Sequence, residues 1–110
     1  MIIYEVTAIV QARLAEVYEH YMRRQHIPDV LASGCFQEAE LSGATPGRYR
    51  IRYEASTDED LERYLATHAP RLREDFASRF PEGVVLAREV WTVMQRWDAP
   101  GRAARLPPSS

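Results

Sequence analysis

Apolar and polar residues alternate along this chain with a period that switches between two and about 3.6, and the switches mark its elements. Ile2 to Val10 is rich in β-branched residues and has neither Gly nor Pro, which predicts a strand. Ile2, Tyr4, Val6, Ala8 and Val10 make one apolar face, while Ile3, Glu5, Thr7 and Ile9 make a mixed one, so the first face is expected on the core. From about Ala12 the spacing turns helical, with Leu14, Val17, Tyr18, Tyr21 and Met22 forming one stripe. That helix should stop or bend near His26, because Pro28 disfavours helical geometry just before it; Asp29 to Ala32 then add a short turn closed by Gly34.

Cys35 to Leu41 and Arg48 to Ala55 read as two strands joined by the loop SGATPG. Matching apolar with apolar and acid with base predicts that Leu41 opposes Tyr49, Ala39 opposes Ile51, Glu40 opposes Arg50 and Glu38 opposes Arg52. A second helix is announced by Ser56 to Asp60, a hydroxyl cap with an acid three residues on. Its stripe is Leu61, Tyr64, Leu65, His68, Leu72, Phe76 and Phe80, and Pro70 should kink or split it. A last strand runs from Val84 to about Trp97 with apolar residues on both faces. Residues 1–97 then form a single domain, and 98–110, DAPGRAARLPPSS, a flexible tail.

The order β-α-β-β-α-β predicts an α+β, ferredoxin-like domain: an antiparallel four-stranded sheet with two helices on one face. Tyr21, Met22, His26, Pro28 and Leu31 are echoed, with one residue fewer before the histidine, by Tyr64, Leu65, His68, Pro70 and Leu72, as two related halves would require. Helices can cover only one side of such a sheet. The other side mixes charges with Ile3, Ile9, Phe36 and half of the last strand, so a homodimer packed through the sheet faces, in the manner of dimeric α/β barrels, is expected.

Charge and composition narrow the partners. A formal net charge of -2 gives no basic excess for nucleic acid, and no apolar run is long enough for a membrane span. The single cysteine, Cys35, cannot make an internal disulfide, and no basic stretch precedes the apolar opening, so a reducing cytoplasm is the expected home. No cofactor loop is present. Glu16 and His20 share a helix face but lack a third ligand, so neither a metal nor a cofactor is expected.

The segments MIIYEVT, YMRRQHIPDVLASGCF and DEDLERYLATHAPRLREDFASRF resemble a family of short, mostly bacterial proteins defined only as a domain of unknown function. The resemblance covers Met1 to Phe80, is weaker beyond, and implies a fold similar to the dimeric α/β barrels with no established reaction. That architecture hosts cofactor-free oxygenases, isomerases and sensors alike, so it supplies no chemistry by itself.

Candidate chemistry centres on two histidines. His68 on the apolar stripe should point toward the sheet, as a general base or hydrogen-bonding group with Tyr64 and Tyr21 as partners, or as a satisfied core histidine. His26, close to Asp29, is either a second candidate base or the end of a helix. Arg50 and Arg52 could clamp an anion, although pairing with Glu40 and Glu38 already accounts for them. The function expected first is a small-molecule-binding homodimer whose aromatic cavity, lined by Tyr4, Tyr18, Tyr21, Tyr53, Tyr64 and His68, takes a small hydrophobic or aromatic ligand. The alternatives are a cofactor-free enzyme of oxygenase or isomerase type using His68 or His26 as base, and a protein-interaction module.

Overall fold

Residues 1–101 are described by a computed structural model, and most of the tail expected from Asp98 onward lies outside them. The all-apolar face of β1 (Ile2–Val10) puts this strand at the centre of the sheet, between β3 (Arg48–Ala55) and β4 (Val84–Thr92). β2 (Glu38–Ala44) pairs on the outer side of β3, every neighbour is antiparallel, and the order is β2-β3-β1-β4. This is the ferredoxin-like sheet that the element order predicts. Ile2, Tyr4, Ala8 and Val10 lie in the core with Ile51 and Tyr53 of β3, against the buried side chains of the helical layer.

Each helical stretch is continuous but widened at its middle. α1 (Ala15–Tyr21) passes through a π turn, Met22–His26, into α2 (Ile27–Ala32), and α3 (Asp58–Arg63) passes through Tyr64–His68 into α4 (Ala69–Arg79). The cause is the proline two residues after each histidine. It has no N–H to offer the carbonyl four residues back and its ring crowds that carbonyl. The amide of the residue before it reaches back five residues instead, Ile27 to Met22 and Ala69 to Tyr64. The expected bend or split is thus absorbed as one extra residue per turn, and the sequence echo is an echo of this device. Thr57 caps α3 as expected, its hydroxyl accepting the Asp60 N–H at 3.1 Å.

The β2–β3 register differs from the expected one by two residues. Leu41 faces Ile51, Ala39 faces Tyr53, and β2 runs on through Ser42, Gly43 and Ala44 to a turn at Thr45, Pro46 and Gly47. A shift of two keeps every side chain on its own face, so matching by polarity could not exclude it. The turn decided it: Gly47 has φ 84°, its carbonyl accepts the Val10 N–H at 2.7 Å, and a β-carbon there would run into the Val10 carbonyl. Arg50 and Arg52 consequently reach Glu5 on β1, at 3.9 and 3.6 Å, rather than Glu40 and Glu38.

The uncovered face of the sheet carries those charges together with apolar residues. Ile9 is 62% exposed and its neighbour Val85 67%, and at the opposite end of the same face Trp91 is 52% exposed. Regular pairing of β4 ends at Thr92, short of the expected Trp97. No helix among the described residues is long and apolar enough to cross a membrane.

Candidate functional site

The helices and the covered sheet face enclose a cavity with a volume of about 40 Å³. Roughly 10–15 Å³ suffices for one water in this measure, so the space holds a small cluster of waters or part of a small ligand. A ring-sized guest must push the lining side chains apart. Tyr4, Ile51 and Tyr53 form the floor, with Val6 and Leu86 beside them; Tyr18, Met22 and His26 come from the first helical stretch, and Tyr64, Leu72 and Phe76 from the second. Arg73 and Arg88, both exposed, border the mouth.

Of the residues singled out from the sequence, Tyr4, Tyr18, Tyr53, Tyr64 and His26 meet around this cavity. Tyr21 is buried behind it, with its ring 5.9 Å from His26 and 6.1 Å from Phe76. His68 lies outside the lining, half-buried and stacked on Tyr64 at 6.4 Å. In a plain α-helix the residue four after a tyrosine shares its face; across a π turn it is the residue five after. Five after Tyr21 stands His26. Five after Tyr64 stands Ala69, which is buried, and His68 turns outward. The one-residue difference between the two halves of the echo therefore puts one histidine in the cavity and the other out of it. His20 is exposed.

The site is short of hydrogen bonds. The Tyr18 hydroxyl and His26 Nδ1 are both buried without a hydrogen-bond partner in the protein, an uncommon condition for buried polar atoms. Burial pushes the His26 imidazole below the usual histidine range; Asp29 and Asp75 pull it part of the way back and Arg88 adds to the depression. A neutral ring at physiological pH can accept a proton or a hydrogen bond. Burial likewise raises the Tyr18 and Tyr53 hydroxyls, and raises Tyr64 to about 12, so the phenols line the cavity as neutral donors. Arg73 donates to the Tyr4 hydroxyl at 3.1 Å. Among the described residues, no cluster of acidic, histidine or cysteine side chains is placed to hold a metal ion.

The two charged residues of the cavity were not foreseen from the sequence. Arg73 gave no signal, being one of many helical arginines. Arg88 gave one: it follows Val84 and Leu86 on the inward-facing register of β4, where an apolar residue is expected.

A four-stranded antiparallel sheet covered on one side by two helical stretches is a ferredoxin-like fold, and solved structures with that fold superpose on it. They include a dimeric ferredoxin-like protein from an uncultured marine organism, with TM-score 0.69 and 10% identity over 90% of this chain and 100% of the other. A candidate antibiotic biosynthesis monooxygenase of Deinococcus radiodurans gives TM-score 0.66 and 16% identity over 92% and 100%. A mutant of SnoaB, a cofactor-independent oxygenase of Streptomyces nogalater, gives TM-score 0.66 and 15% identity over 86% and 94%. The chain belongs to the family DUF4286, a domain of unknown function, whose pattern matches residues 1–94. The match runs through the whole of β4, past Phe80, where the resemblance was expected to weaken. No curated protein matches the chain.

Proposed function

We propose that this protein is a homodimeric small-molecule-binding domain of the cytoplasm that takes a hydrophobic or aromatic ligand between its helices and its sheet. The observation that carries the reading is that two residues lining the cavity, Tyr18 and His26, each keep a buried polar atom, the hydroxyl and Nδ1, without a partner in the protein, among walls made of aromatic and aliphatic side chains. Aromatic walls with a few convergent polar groups are the usual make-up of a ligand site. A guest offering one donor or acceptor would satisfy atoms that cost roughly 1–3 kcal/mol each when left unpaired. Native mass spectrometry of the protein purified from cells tests this: a small-molecule adduct is expected, and Val6→Phe, which fills the cavity, should remove it. An adduct that survives Val6→Phe would sink the assignment to this cavity.

A second reading, a cofactor-free enzyme of the isomerase or oxygenase type, draws support from the buried neutral imidazole of His26 and from the likeness to a cofactor-independent oxygenase. In its proton-transfer step, His26 Nδ1 takes the proton of a carbon acid next to a carbonyl. The electrons of the broken C–H bond pass into that carbonyl, and the Tyr18 hydroxyl donates to the enolate oxygen. Return of the proton to a different carbon completes an isomerisation. Deuterium uptake from solvent into an aryl ketone, followed by NMR, should be faster with the protein than in buffer and should fall to the buffer rate in His26→Gln but not in His68→Gln. Uptake at the buffer rate with the unaltered protein would remove this reading and leave the first intact.

A further inference from the structure

We infer that the ligand of this cavity is an aromatic carboxylate, bound ring inward with its charge held at the mouth by Arg73 and Arg88. The inference rests on the ligand-binding reading above and adds the chemical class. Two arginines from different elements, α4 and β4, border one opening. Among the described residues neither has a carboxylate within ion-pairing distance, a state shared with Arg24, Arg48 and Arg79, none of which lines the cavity.

Arg88 is the more informative of the two. Its register partner on β1 is Val6, and it shares the covered side of the sheet with Val84 and Leu86. It lies where cover runs out, since Leu86 is partly buried while Val90, the next residue on that side, is 52% exposed. Arg88 therefore stands where the cavity lining meets exposed surface. Arg73 is fixed on the facing helix by its bond to the Tyr4 hydroxyl, which aims a second fork of donors at the same opening.

The acids nearby do not cancel this pair. Asp75 is 3.4 Å from Arg71 on its own helix, and neither Asp75 nor Asp29 lines the cavity, although both act on His26 from outside it. A planar ring that pushes these walls apart would stack on Tyr4, Tyr53, Tyr64 and Phe76, and a planar carboxylate suits guanidinium forks better than a point charge would. Tyr18 and His26 then meet whatever polar group the ring carries on its far side.

Benzoate and benzamide, alike in shape and different in charge, separate the terms when titrated at constant ionic strength into the whole protein and followed by NMR at Tyr64 and Phe76. Benzoate should bind at least about tenfold more tightly than benzamide. Arg88→Gln and Arg73→Gln should each weaken benzoate about tenfold, the worth of one charge-assisted hydrogen bond, while leaving benzamide unchanged. Arg13→Gln should change neither. Circular dichroism of the variants checks that they fold. Equal binding of the two probes would overturn the carboxylate assignment and keep the cavity reading. Failure of both probes to shift the cavity signals would remove the cavity reading and this inference with it. Should Arg88→Gln change self-association but not benzoate affinity, the arginine guards an edge strand and the inference is overturned.

Discussion

His26 gives up its proton more readily in the folded protein than in the unfolded chain, because burial disfavours the imidazolium. Between the two pKa values the unfolded chain holds more protons, so the stability tied to this group is complete above the ordinary value of 6.5 and is lost as pH falls toward the lower, folded value. Urea midpoints measured from about pH 8 to about pH 5 should fall more steeply for the unaltered protein than for His26→Gln; parallel curves would mean that the ring is solvated. Tyr49 offers a second test. Its hydroxyl donates to the Glu19 carboxylate at 2.6 Å, and burial first, then that carboxylate, raises its pKa to about 12. Tyr49→Phe should cost about 1–2 kcal/mol in urea denaturation, the worth of a hydrogen bond to a charged group reduced by solvent at a half-buried site.

Elements were legible wherever one residue type dictates the backbone. β1 and β3 occupy the spans their alternation predicts, and Thr57 caps α3 as its sequence announces. β2 was displaced from Cys35–Leu41 to Glu38–Ala44 because Gly and Ala can extend a strand as well as leave it, and the tight turn at Gly47 outweighed them. Gly47→Ala should therefore destabilise by at least ~2 kcal/mol, since it adds left-handed strain to a collision with the Val10 carbonyl. Thermal melts of this variant and of Gly43→Ala, where a β-carbon meets only ordinary contacts, measure the difference. The stripe of the second helical stretch held at Leu61, Tyr64, Leu72, Phe76 and Phe80 but failed at Leu65 and His68, because a fixed 3.6-residue period cannot survive a π turn.

For the molecule as a whole, the open sheet face makes self-association the outcome to test. Its two apolar ends, around Ile9 with Val85 and around Trp91, flank the charged middle where Glu5 meets Arg50 and Arg52. Light scattering should report a dimer, and the double variant Ile9→Glu with Trp91→Glu should report a monomer with unchanged helix content. A dimer that survives both charges would place the interface elsewhere. By itself the sequence determined the element order, the ferredoxin-like class, the covered face and the aromatic make-up of the core, because periodicity, prolines and caps act locally. Only the tertiary structure decided which histidine enters the cavity, which register the hairpin takes and that Arg88 stands at the mouth. Each of these turns on a shift of one or two residues, and only packing across elements distinguishes such shifts.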